Sequence, residues 1–229
     1  PAATYYDMDI TYLLCRARTT AKEVFFMKKF VTMLSESAKE LRSTRNLTLC
    51  AMFAAIAVVL GYFTIQISSF LKIGFSGIPN QIVSCLFGPA AGAMFGGALD
   101  IIKYIIKPTG AYFPGFTISA IVAGLIYGSF YYKKNPGFMR VLAASFLVNV
   151  IVNIGLNTLW LAIMYNYDGV KYLAVLQTRA IKNIVMTPVD AIVFWTVMRP
   201  VGAIISELMP GRLTKEHSKI TAAIFSSGK

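Results

Sequence analysis

Four side chains in the second half of the chain combine polar chemistry with regular spacing: Asn149, Asn153, Asn157 and Trp160, in the run NVIVNIGLNTLW. The asparagines stand four apart and the tryptophan follows three later, so a helix places all of them on one face. Each carboxamide offers two donors and an acceptor, a match for a flat heterocycle with mixed edges. An indole beside them can stack on such a ring. Their surroundings from Val141 to Met164 are apolar and long enough to cross a bilayer. Amides in hydrocarbon must find partners, in other helices or in a bound polar molecule. Interhelical packing is the plainer alternative, and the row alone favours neither.

A second group lies further on. Arg179, Lys182 and Asn183 share a helical face, continued by Met186 and Asp190. Arg179 can clamp a carboxylate with its planar fork. Asp100, a carboxylate at membrane depth, has Lys103 three residues on, at pairing distance. An ion pair among these acids, Asp168 and the cations is the structural alternative. The excess of cations favours an anionic ligand.

These residues sit in a chain of 229 amino acids that is 56% hydrophobic and 14% charged, with mean hydropathy +0.63. Such a composition indicates an all-α integral membrane bundle of about six crossings rather than a soluble domain. The helices expected are Leu47–Ile67, Ile78–Phe87, Pro89–Ile106, Phe116–Tyr132, the asparagine helix, and Leu173–Leu208 with a kink or break at Pro188 and Pro200. Gly88-Pro89 separates the second from the third. Ser68–Gly77 reads as a polar connection. Residues 1–44 form a cytoplasmic or interfacial segment, with Phe30–Leu41 an amphipathic helix along the interface. Met27-Lys28-Lys29 reads as a natural start, so residues 1–26 are expected to be an extension or non-native. Residues 45–209 form the membrane domain and 210–229 a cytoplasmic tail.

The net charge of +12 is distributed as topology requires rather than as nucleic-acid binding requires. Eight Lys and Arg precede the first membrane helix, three lie in the turn after the fourth, and five follow from Arg199 onward, against six on the opposite side. Both termini are therefore expected in the cytoplasm. Lys103, Lys107, Lys171, Arg179 and Lys182 then cluster near the outer helix ends, where an arriving anion would offset their cost.

Several classes drop out. No GxxxxGK[ST], HExxH or GxSxG run occurs, the three cysteines show no metal spacing, and the single histidine, His217, lies in the polar tail. No metal site or cofactor is expected, and no catalytic residues. Nor are there two matched halves with broken helices, as a stand-alone secondary transporter would have.

The run FGPAAGAMFGGALDII, the Ala51-xxx-Ala55 pair on the first helix, with Ala54 beside it, and the six short helices resemble the substrate-binding S component of an energy-coupling-factor (ECF) vitamin transporter. NIGLNTLWL followed by RAIKNIVMTPVDAI is similar to the folate-specific branch. The resemblance covers about residues 28–212. It implies a multi-pass protein of a prokaryotic plasma membrane, not itself an enzyme. It further implies one vitamin, folate, bound at the outer side, and association through Ala51, Ala54 and Ala55 with a membrane coupling subunit (the T component) joined to two ATPases. Toppling in the membrane would then carry the substrate across. Asn149, Asn153, Asn157, Trp160, Arg179, Lys182 and Asn183 match where such a site should lie. Asp100 and Lys103 are further candidates, and Phe116 or Trp160 would stack on a ring. The alternatives are an S component for riboflavin, thiamine or pantothenate, and a membrane scaffold whose polar row only packs helices.

Overall fold

The computed structural model describes residues 25, 27–62, 64–66, 72–108, 112–134, 137–166 and 169–208. The expectations for residues 1–24 and for the tail 210–229 lie outside these, as does Asp168. The described elements are α1 (27–40), α2 (Thr44–Tyr62), strands β1 (Thr64–Gln66) and β2 (Lys72–Gly74), α3 (Ile78–Phe87), α4 (Pro89–Ile106), α5 (Pro114–Tyr131), α6 (Phe138–Tyr165) and α7 (Gly169–Leu208). Among them α2, α4, α5, α6 and α7 are long and apolar enough to cross a membrane. The ten residues of α3 rise only about 15 Å, half a hydrocarbon core.

Two expectations change. Helix α2 ends at Tyr62, not Ile67, and the chain turns into an antiparallel hairpin pairing Thr64 with Gly74 and Gln66 with Lys72. The hydropathy of the run continues past Tyr62, but β-branched Thr64 and Ile65 suit an extended backbone. Helix α7 also runs unbroken through Pro188 and Pro200.

Helices α4 and α5 pack backbone to backbone, antiparallel. A side chain at Gly124 would collide with the Gly92 carbonyl, one at Gly128 with Pro89, and one at Gly96 would lie 2.7 Å from the Ala120 carbonyl oxygen. Small residues every four positions on both helices make this approach possible. The break between α3 and α4 is set by Gly88, whose φ of 88° suits a residue without Cβ, and by Pro89 starting the next helix.

Helix α1 fastens onto that break. Ser37 is fully buried; its hydroxyl donates to the Phe87 carbonyl at 2.5 Å and accepts from the Ala91 amide at 3.1 Å. One hydroxyl thus satisfies the last turn of α3 and the first of α4. Glu36 pairs with Lys133 at 2.7 Å, which raises the lysine's pKa and ties α1 to the turn after α5. Asn46 is held by the Glu40 carbonyl and carboxylate.

The densest core lies at this same end. Phe87, Val83, Tyr131, Val141 and Phe194 are wholly inside it, with Tyr131 stacked on Phe194 at 5.3 Å. The first half of α7 is looser, with Val170, Leu173, Ile181 and Ile184 exposed for lipid to cover. One end of the bundle is therefore tightly closed and the other open.

Gly124→Val should lower stability in detergent by about 1–3 kcal/mol or more, because the Gly92 backbone opposite it has no room to move. Gly155→Ala, whose Cβ would meet only the Val150 carbonyl at 3.5 Å, should stay within about 0.5 kcal/mol. Thermal melting of both variants checks the pair.

Candidate functional site

The open end holds a cavity of about 420 Å³. Its walls come from the last turns of α2 and α4, the segment before α3, the start of α5 and the end of α6. Tyr62, Tyr104, Tyr112, Phe113, Phe116 and Tyr165 supply six aromatic rings, and Asp100, Lys103 and Lys107 supply charge. Tyr104 and Tyr112 lie 5.0 Å apart, and Phe113 meets Phe116 edge-on at 6.2 Å.

Polar groups in the walls are pre-positioned. Asp100 Oδ2 accepts from Thr117 Oγ1 at 2.8 Å, and that oxygen lies 2.9 Å from the Tyr112 hydroxyl. Lys103 Nζ donates to the Ser76 carbonyl at 3.4 Å instead of closing on Asp100. Lys107 stands over the Tyr62 ring at 5.5 Å. A site with several aromatic faces, two ammonium groups and one carboxylate can take a ring-bearing molecule with both anionic and N–H groups.

Asp100, Lys103 and Phe116 thus come together at one cavity. Asn149, Asn153, Asn157 and Trp160 lie on α6, deeper than Leu161, which lines it. Asn157 Nδ2 donates to Asn153 Oδ1 at 3.2 Å, Asn153 Nδ2 to Asn149 Oδ1 at 2.5 Å, and Asn149 Nδ2 to Thr187 Oγ1 at 2.8 Å. Residues four apart share one face of the helix, which brings these amides together. Over Asn149–Leu156 the backbone widens to i→i+5 hydrogen bonding, with the Asn157 amide on the Val152 carbonyl. Trp160 donates from Nε1 to Ser119 Oγ at 3.1 Å and lies flat on Gly115, where a Cβ would approach its ring to 2.5 Å. Phe113 covers it at 5.8 Å, so Trp160 backs the aromatic wall. Arg179, Lys182 and Asn183 lie on α7, half-buried, and are not among the residues that line the cavity. Asn183 contributes its carbonyl to Thr187 Oγ1 at 2.7 Å. Ala51 and Ala55 are exposed on α2 and Ala54 is half-buried against the core.

Tyr62, Tyr104, Tyr112, Phe113 and Tyr165 were not singled out from sequence. Tyr62, Tyr104 and Tyr165 occupy the last turns of their helices, where an aromatic reads as an interfacial anchor. Convergence of three such ends is the signal that would have identified them.

A family model described as "ECF transporter, substrate-specific component" matches residues 45–206. The chain belongs to this family. Among its relatives is the folate transporter FolT of Clostridium novyi (strain NT), 39% identical over 145 residues, 63% of this chain and 83% of that protein. FolT of Leuconostoc mesenteroides is 36% identical over 150 residues, 64% of this chain and 80% of that one. A crystal structure of FolT bound with folic acid superposes with a TM-score of 0.59 at 34% identity, over 68% of this chain and 93% of that one. The helical membrane bundle of this S component is thus the fold of its family. Helix α1 precedes the matched region yet is fastened to it through Ser37.

Asn153→Leu removes two rungs and strands Asn149 Oδ1 and Asn157 Nδ2 inside the bundle. Buried unpaired groups cost about 1–3 kcal/mol each in water-soluble proteins, and side-chain bonds in membranes average about 0.6 kcal/mol. The apo S component should therefore lose about 1–2 kcal/mol, read by thermal melting. An unchanged melting temperature would show that the ladder holds nothing together.

Proposed function

We propose that this S component captures folate from the outer side of a prokaryotic plasma membrane and delivers it through an ECF-type importer. The observation that carries the reading is the cavity: six aromatic rings and two lysines around about 420 Å³, within the roughly 300–1,000 Å³ typical of small-molecule sites. Relatives at 36–39% identity are folate transporters, which makes folate the ligand of choice. Its pterin would lie among the aromatic faces, and its glutamate carboxylates would meet the ammonium groups of Lys103 and Lys107. Arg179 and Lys182 raise the local positive potential from α7. Folate is the transported ligand, and binding calls for no cofactor.

The energy comes from elsewhere: a membrane coupling subunit and two ATPases supply it, and toppling of the loaded S component carries folate inward. Residues 45–209 make up the membrane domain. The charge count puts both termini, the Gly88 break and the Lys133 turn in the cytoplasm and the cavity outside. Exposed Ala51 and Ala55 then lie on α2 near the cytoplasmic side, where small side chains let another helix come close.

Folate at about 100 times its Kd should stabilise the purified protein by about 2.7 kcal/mol. Lys103→Ala should weaken binding by about 1.5–3 kcal/mol, the value of a charge-assisted hydrogen bond. A melting panel with folate, riboflavin, thiamine and pantothenate checks the ligand. A shift by another vitamin alone would replace folate but keep the class, and no shift by any of them would support a scaffold.

The double variant Ala51→Trp, Ala55→Trp should lose copurification of the coupling subunit and ATPases while keeping its folate-induced shift. Retained copurification would remove α2 as the docking face.

A further inference from the structure

The closed end carries a cluster of charge that ligand capture does not use. Lys29 of α1, Lys134 of the turn after α5 and Arg140 in the first turn of α6 come together there from three separate segments. The ion pair between Glu36 and Lys133 assembles them. It ties α1 to that turn at 2.7 Å, and Lys29 lies seven residues before Glu36, on the same face of α1. All three cations are exposed. Desolvation against the protein surface, then the charges of Arg140 and Lys29, hold Lys134 below the usual lysine pKa. Lys134 Nζ donates to the Ser129 carbonyl at 3.0 Å, a neutral partner. Arg140 stands in the first turn of its helix, where the helix dipole disfavours a cation. Both acids of α1 have other partners, Glu36 in Lys133 and Glu40 in Asn46. Three cations thus repel one another at a cost that an anion among them would offset.

The depth of the cluster selects the anion. Arg140 is the third residue of α6, at the point where that span begins. Phe138 meets Trp195 edge-on at 5.9 Å at the same level, an aromatic pair of the kind that marks the headgroup region. Exposed apolar side chains flank the cations, Val31 on α1 and Phe138 and Met139 on α6. A small soluble anion gains nothing from these, whereas a phospholipid sets its phosphate among cations and its acyl chains along apolar side chains. We propose that Lys29, Lys134 and Arg140 form a binding site for the headgroup of an anionic phospholipid, held between α1 and the start of α6. The proposal goes beyond folate capture, and takes from the charge count only the assignment of this lipid to the cytoplasmic leaflet. A lipid seated there anchors the closed end at the membrane surface, at the opposite end of the bundle from the cavity.

The test titrates the full chain, in neutral detergent and without folate, with short-chain phosphatidylglycerol, short-chain phosphatidylcholine and glycerol phosphate. Native mass spectrometry reads the dissociation constants. The wild type should bind phosphatidylglycerol roughly tenfold or more tighter than phosphatidylcholine, since each cation beside an anionic lipid is worth about fivefold. The double variant Lys134→Gln, Arg140→Gln should bring that ratio to within about threefold. The charge-matched variant Lys39→Gln, Arg42→Gln, at exposed positions outside the cluster, should keep it. A wild type that binds the two lipids equally overturns the proposal, whether or not the variants fold. A preference that survives in Lys134→Gln, Arg140→Gln does the same, and so does an equal loss in both variants, which would mean diffuse charge in place of a site. Glycerol phosphate bound as tightly as phosphatidylglycerol would leave the acyl chains no part and defeat the lipid. None of these results bears on folate, whose melting shift should be the same in the wild type and both variants.

Discussion

Contact between two bare backbones governs this molecule. Where Gly92 faces Gly124 and Gly128 faces Pro89, α4 and α5 come closer than any side chain would allow. In hydrocarbon, association gains little from hiding apolar surface, so dense packing must supply the cohesion. That contact, the Ser37 hydroxyl across the α3–α4 break and the stacked Tyr131 and Phe194 rings concentrate cohesion at one end. The other end is thereby free to stay open, walled by helix termini and aromatic rings, without endangering the fold.

The same rule about unsatisfied groups explains the polar interior. Three carboxamides are tolerated in α6 because each is bonded to the next and the lowest to Thr187. Their spacing of four keeps them on one helical face, and the α6 backbone widens over the same residues, as helices often do at functional sites. The row joins α6 to α7 through the Asn149–Thr187 hydrogen bond.

Much of the architecture was legible because the sequence punctuates it strongly. Gly88-Pro89 fixes the end of α3 and the start of α4 to the residue. The end of α2 was not legible, since apolar residues continue while the backbone changes from helix to strand. The asparagine row was readable as one face of a helix. Its direction was not, because that depends on the Thr187 proton and the Asn183 carbonyl, some thirty residues away in sequence. Lys103 beside Asp100 suggested a pair, but the ammonium finds the Ser76 carbonyl and the carboxylate finds Thr117. The cavity walls come from five separate segments, and no local pattern announces that Tyr62, Tyr104 and Tyr165 converge.

Charge gives the last constraint. Lys103 and Lys107 stand at the open end of the bundle, around a cavity lined by one acid, Asp100. Neutralising them internally would require both to close on Asp100. The geometry instead occupies Asp100 with the Thr117 hydroxyl and holds Lys103 on a neutral carbonyl and Lys107 over a tyrosine face. Each of these partners orients its charge without cancelling it, so positive potential remains at the mouth. A cavity that keeps this charge beside six aromatic rings can take a molecule with an anionic end and a flat ring.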